Sequence, residues 1–330
     1  MDSGKIIAAA ILVLVAAGLA AASLLNHKEK PHVTVATIQF GISTLDLIDS
    51  GQYKPSNIDI DVMRIQLAPD VATALLKGDA QVAILPVEVA AKLYENGNDV
   101  VIIAIDMYQN QAILVPVNST LKTPADLKGK TVAAPVSSGS FAVFKSYMKT
   151  IYGLDVLEPG EDGKGVHVVN TKPAQALDAA VKGDADAAVA WEPIVSKALA
   201  SGRFRILASF QDLWKMLGGK GEPVMIAWVA RGDWVRSHPD QVEALLEARQ
   251  AAAKLWVSNK DAVYDSMRKL YNLDEKTITT LYDRVDICTE RRLTSSLVDS
   301  VKQVVNLAYR GGYLKTASID YNKFLYTGGT

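Results

Sequence analysis

Cysteine and histidine are scarce in this chain. Its 330 residues include one cysteine, Cys288, and four histidines, His27, His32, His167 and His238. A single thiol excludes an intrachain disulfide, and an isolated cysteine reads as a small buried hydrophobe. The histidines show no mutual spacing for metal ligands or for a nucleophile and its base, so neither a metal site nor a catalytic residue is expected. No Gly-rich phosphate loop of the Walker or dinucleotide type occurs, and no cofactor is expected. Charge of one sign is not in excess either. Lys and Arg total 35 against 36 Asp and Glu, for a net charge of −1. The basic residues are dispersed, which removes the electrostatic footprint of a nucleic-acid binder.

What is present reads as a globular protein with a hydrophobic leader. Hydrophobic residues make up 49% and charged residues 22%, a composition that argues against disorder. The length favours two lobes, each with its own core. Ile6 to Leu25 is almost entirely apolar. A helix of that length would rise through about 30 Å of hydrocarbon, so an uncleaved membrane anchor is expected. Ala20-Ala21-Ala22 before Ser23 offers a small-residue cleavage site, which keeps a removed signal segment open. No cysteine follows the segment to carry a lipid.

One internal repeat stands out. Ala74-Leu75-Leu76-Lys77-Gly78-Asp79-Ala80, an apolar run and Pro86-Val87-Glu88 recur 105 residues later as Ala180-Val181-Lys182-Gly183-Asp184-Ala185, an apolar run and Trp191-Glu192-Pro193. Each copy predicts a helix closed by a left-handed glycine, a buried strand, then a new helix. Two such units imply two lobes of similar local geometry. Further strands are predicted at Val33 to Ile38, Ile58 to Ile65, Val100 to Ile105, Ala112 to Val117, Thr131 to Ala134, Val166 to Val169, Arg205 to Ala208 and Val224 to Ala230. From Pro239 to Tyr309 the pattern predicts helices alone. The sum is a mixed α/β architecture with a helical cover.

Leu121 to Ala133 with Ser138-Gly139-Ser140, the two Lys-Gly-Asp-Ala units, Ala190-Trp191-Glu192-Pro193 and Tyr309-Arg310-Gly311-Gly312-Tyr313-Leu314 together resemble the substrate-binding proteins of nitrate, sulfonate, taurine and thiamine-precursor ABC importers. The resemblance runs from Val33 to Leu314 and implies an α/β, two-lobed type II periplasmic-binding-protein fold. Two hinge crossings, near Asp106 to Gln111 and Gly221 to Met225, would join the lobes. Residues 1–30 would be the anchor or signal segment, 31–106 with 225–330 the first lobe, and 107–224 the second. The implied function is capture of a small molecule by hinge closure on the extracytoplasmic face of the membrane, for delivery to a permease and its ATPase. A monomer is expected. An enzyme on the same fold and a membrane-tethered ligand sensor are the rival readings.

In open α/β sheets, ligands gather at the carboxyl ends of strands. The residues there are Gln39 and Phe40, Pro86 and Glu88, and Tyr108 with its neighbours at the first crossing. The second lobe offers Ser137, Ser138, Gly139 and Ser140, then Trp191 and Glu192. Hydroxyls and N–H groups at a helix start accept anions, although the serines could equally be simple caps. Trp191 could stack on a ligand and Glu192 accept a hydrogen bond or meet a cation, or both could belong to the strand–helix packing. None of these loops carries Lys or Arg. The expected ligand is therefore neutral or singly charged, with an apolar or aromatic part, unless Arg231 reaches the cleft.

Overall fold

The computed structural model describes residues 30–328; the apolar leader lies outside them. The chain first lays down β1 (His32–Ile38), α1 (Leu45–Asp49), β2 (Asp59–Ile65), α2 (Ala68–Lys77), β3 (Val82–Pro86), α3 (Val87–Glu95) and β4 (Val100–Tyr108). It then crosses to β5 (Ala112–Pro116), a 3-10 turn (Pro124–Leu127) and β6 (Thr131–Ala134). There follow α4 (Gly139–Tyr152), β7 (Val156–Leu157), β8 (Val166–Asn170), α5 (Gln175–Lys182), β9 (Ala187–Ala190), α6 (Ile194–Ala200), β10 (Phe204–Ser209) and α7 (Phe210–Met216). A second crossing leads to β11 (Val224–Arg231).

Two sheets result, ordered β2-β1-β3-β11-β4 and β10-β5-β9-β6-β8-β7. They share one plan. β3 pairs parallel with β1 and antiparallel with β11, and β9 pairs parallel with β6 and antiparallel with β5. Each antiparallel strand is the one that enters its sheet straight from a crossing. Because β3 and β9 are central and covered on both faces, they are short apolar runs, VAILP and AAVA.

The repeat in the sequence is the visible trace of this plan. α2 and α5 both end on a left-handed glycine, Gly78 and Gly183, each with φ 83° and ψ 10°. That conformation carries little penalty only without a β-carbon. It turns the chain back so that β3 and β9 start directly beneath the helices that precede them.

After β11 come α8 (Gly232–Ser237), α9 (Pro239–Ser258), α10 (Lys260–Tyr271), α11 (Glu275–Tyr282), α12 (Ser295–Arg310) and α13 (Tyr321–Phe324). The sequence pattern predicted helices alone here, but the region is not helical throughout. Between α11 and α12 the backbone runs extended alongside the end of β4, with a bridge between Met107 and Ile287 and the Cys288 N–H donating to the Asp106 carbonyl at 2.9 Å. β4 needs a partner on its outer edge there, and that pairing outweighs local helical preference. α12 packs against both α3 and α4. One apolar cluster accordingly runs from Leu85 and Ile102 in the first sheet to Val132 and Val189 in the second, with Val301 and Val305 of α12 in it.

Candidate functional site

The two sheets present their strand ends to each other around a cavity of about 70 Å³. Its wall on the first-sheet side is mostly apolar, with Ile42, Val71, Leu85, Met107 and Ile226, plus Thr37 at the end of β1. The second sheet contributes Ser138, Gly139, Ser140, Trp191 and Glu192. No Lys, Arg or His belongs to the lining.

The loop after β1 is held by buried charge. Asp46 of α1, fully buried, accepts from the Ser43 N–H at 3.0 Å and from Arg64 Nη2 at 2.7 Å. Arg64 also reaches Asp49 at 2.7 Å, and the Tyr271 hydroxyl donates to the Gly41 carbonyl at 2.7 Å. Burial pushes the Asp46 carboxyl up to about 6, against the pull of Arg64. From the other side, Asp106 accepts from the Thr44 N–H at 3.0 Å and from Trp228 Nε1 at 2.7 Å. Gly41 and Ile42 are thus positioned by two carboxylates that never touch the cavity.

The second wall is built on helix starts. Ser138 caps α4: its hydroxyl accepts from the Phe141 N–H at 3.1 Å and donates to the Pro135 carbonyl at 2.7 Å. Ser140, the second residue of α4, is buried. At the end of β9, Trp191 is 9% exposed, and its Nε1 donates to the Phe40 carbonyl at 3.2 Å. This hydrogen bond spans the two sheets. Glu192 is fully buried: its Oε1 accepts from Arg284 Nε at 2.8 Å and its Oε2 from the Ser196 N–H at 3.0 Å. Burial raises its carboxyl pKa while Arg284 opposes the rise. A second tie across the sheets follows, because Arg284 lies just beyond α11.

Of the residues singled out in the sequence, Pro86, Ser138, Gly139, Ser140, Trp191 and Glu192 line the cavity. Glu88 lies behind Pro86 and Gly139, 1% exposed. Phe40 contributes its carbonyl while its side chain is half exposed, and Gln39 sits beside it with its N–H bonded to the Ile65 carbonyl at 2.8 Å. Ser137 is exposed. Tyr108 faces the opposite side of β4, toward Trp256, Tyr282 and Ile287, and burial beside the Cys288 thiol raises its phenol pKa. Arg231 pairs with Asp233 at 3.0 Å and packs against Gly78, at the far end of β11. Ile42, Val71 and Ile226 were not singled out, since apolar wall residues carry the same pattern as core, and neither was Thr37, which sits inside the predicted strand Val33 to Ile38. Arg284 had no signal at all, being one basic residue among many in a helical tail.

Two α/β layers joined by two crossings, with a cavity between their strand ends, define the two-lobed architecture of periplasmic binding proteins. The chain belongs to the family described as NMT1/THI5 like, whose model matches residues 48–263. It is 25% identical over 285 residues to the taurine-binding periplasmic protein of Escherichia coli K12, covering 82% of this chain and 84% of that protein. It is 32% identical over 119 residues to a putative aliphatic sulfonates-binding protein of the same strain, covering 36% of this chain and 35% of the relative. Among solved structures, the periplasmic aliphatic sulphonate binding protein of E. coli superposes with a TM-score of 0.71 at 19% identity, covering 91% of this chain and 94% of that one. The periplasmic nitrate-binding protein of Synechocystis PCC 6803 gives 0.67 at 16% identity, with 91% and 87% covered.

Among the described residues, no group of three or more His, Cys, Asp or Glu is arranged to hold a metal ion, and no helix is long and apolar enough to cross a membrane.

Proposed function

We propose that the protein is the extracytoplasmic solute-binding subunit of an ABC importer, and that its ligand is a small, singly charged organic oxyanion of the sulfonate class. The observation that carries this reading is the cavity itself. The first turn of α4 offers N–H groups and the Ser140 hydroxyl at one end, and an apolar wall faces it. A helix start suits an oxyanion, and the wall suits a short hydrocarbon part. Without a cation in the lining, a doubly charged anion would be poorly neutralised. The volume is small beside the few hundred Å³ of drug-sized sites, which favours taurine-sized ligands over nucleotides or vitamins. The names of the relatives support the same class.

In this reading residues 31–106 and 225–330 form one lobe and 107–224 the other, and they hinge at the two crossings. Those crossings are bonded to each other, the Gln109 N–H donating to the Pro223 carbonyl at 2.8 Å. Ligand bound to one lobe is then covered by the other, and the closed form is what a permease recognises. The apolar segment from Ile6 to Leu25 would hold the protein at the membrane, and the binding unit would act as a monomer.

The test is calorimetry and thermal unfolding of the full chain in detergent, with taurine, ethanesulfonate and nitrate. Binding to the folded state alone adds about 2.7 kcal/mol at a hundredfold excess over Kd. A clear rise in Tm with the sulfonates supports the reading. Indifference to all three, with binding of a cation or a large aromatic molecule instead, would overturn the ligand class.

A further inference from the structure

Glu88 is a buried acid with nothing to neutralise it. It is the second residue of α3 and 1% exposed, and its Oε1 has no hydrogen-bond partner. No ion pair reaches it among the described residues, in contrast to Asp46 with Arg64 and Glu192 with Arg284. The carboxyl lies against Gly139, the first residue of α4, so closely that a β-carbon there would overlap Oε1 and the Pro86 ring. Pro86 and Gly139 both line the ligand cavity. Glu88 therefore sits at the same helix start that the proposed oxyanion would use.

The titratable groups facing it are Tyr147 on α4 and Tyr313 beyond α12, and Lys92 and Glu95 follow it on its own helix. Lys92 is already engaged by Glu95 at 2.7 Å and by the Tyr313 carbonyl at 3.0 Å. Burial pushes the Glu88 carboxyl up to about 7. When ionised, it occupies the positive end of the α4 dipole and repels a second anion there. When neutral, it leaves that end free and can itself donate a hydrogen bond.

Resting on the solute-binding reading above, we propose that Glu88 is the specificity-determining acid of the cavity: a monoanionic ligand head reaches the start of α4 only with Glu88 neutral, so capture takes up one proton. The proton comes from solvent and stays on the Glu88 carboxyl while the ligand is bound. Affinity for a monoanion then falls tenfold for each pH unit above the titration of Glu88 in the free protein.

Ethanesulfonate is the probe, because it has no other group that titrates near neutrality. Calorimetry of the full chain between roughly pH 5.5 and 8.5, in two buffers of different ionisation enthalpy, counts the protons taken up. The expected result is a tenfold rise in Kd per pH unit on the alkaline side, with close to one proton absorbed per ligand. Glu88→Gln is expected to bind with one affinity across this range and to absorb none. Wild-type binding that does not change with pH, or that tightens on the alkaline side, would overturn the role of Glu88 and leave the solute-binding reading standing. Loss of ethanesulfonate, taurine and nitrate binding even at the acidic end would sink both. Should Glu88→Gln fail to fold, carbon NMR of the Glu88 carboxyl in the wild-type chain decides the matter. Ethanesulfonate must raise its pKa by at least about one unit, and an unchanged titration overturns the proposal.

Discussion

At the scale of single residues, the site is governed by four buried acids in different electrostatic company. Asp46, Asp106 and Glu192 have arginine partners in Arg64, Arg249 and Arg284, whereas Glu88 has none. The folded chain therefore holds the Glu88 proton more tightly than the unfolded chain does. For a carboxyl raised in this way, stability is fully present below the unfolded value of 4.5 and is lost as pH rises through about 7. Glu88→Gln keeps the shape and removes the titration, so it should be more stable than wild type at pH 8 by about 3 kcal/mol and nearly equal at pH 4.5. Urea unfolding at the two pH values measures the difference, and equal offsets at both would refute it. Trp191 has a different role, closing the cavity with a hydrogen bond to the Phe40 carbonyl. Trp191→Phe retains most of the buried ring and loses that donor, so stability should drop by about 1 kcal/mol. In the proposed hinge that bond forms only when the lobes close, so ligand affinity should weaken several-fold; an unchanged Kd would show that the indole does not latch the lobes.

Much at the scale of elements was legible in the sequence. The Lys-Gly-Asp-Ala units predicted a helix, a left-handed glycine and a buried strand, and both copies form with the same backbone angles. Gly183→Ala places a β-carbon at φ 83° in open space, so the cost is conformational and should be about 1 kcal/mol. Gly78→Ala should cost at least as much, since its β-carbon also meets the Arg231 guanidinium. The units lie in different sheets, so the double variant should show the sum of the two losses in chemical denaturation. The strand pattern did not reveal β7, which has two residues and exists only as an edge on β8. It also did not reveal the extended segment that carries Ile287 and Cys288. β7 depends on the edge of β8, the next strand along, and the Ile287 segment on the edge of β4, far earlier in the chain. Tyr108 illustrates a one-residue limit: successive residues of a strand point to opposite faces, so Met107 lines the cavity and Tyr108 turns toward Trp256.

The molecule as a whole is tied across its two sheets at separate points. Trp191 meets Phe40 at the cavity, and Arg284, beyond α11, holds Glu192. α12 packs against α3 and α4 together. Arg284→Ala would leave Glu192 buried with its charge uncompensated and should destabilise the chain by about 3 kcal/mol. Adding Glu192→Gln should recover much of that loss, and a double-mutant cycle in urea would reveal its absence. If the proposed hinge operates, X-ray scattering with saturating ethanesulfonate should show a more compact particle than the free protein, and the change should shrink in Trp191→Phe.

The sequence by itself determined the alternation of strands and helices, the duplicated βα unit, and the residue types at strand ends. Those properties follow from periodicities of two and 3.6 residues and from glycine at positive φ, all readable within a few neighbours. Only the tertiary structure decided which strand ends meet around the cavity, that Asp46 and Asp106 hold its loops from outside, and that Arg284 reaches Glu192 across 92 positions. It also decided that Glu88 is left without a partner beside Gly139. Whether a buried acid is paired depends on which side chains converge in space, and convergence across such separations is set by sheet order and helix packing, for which no local pattern encodes a distance.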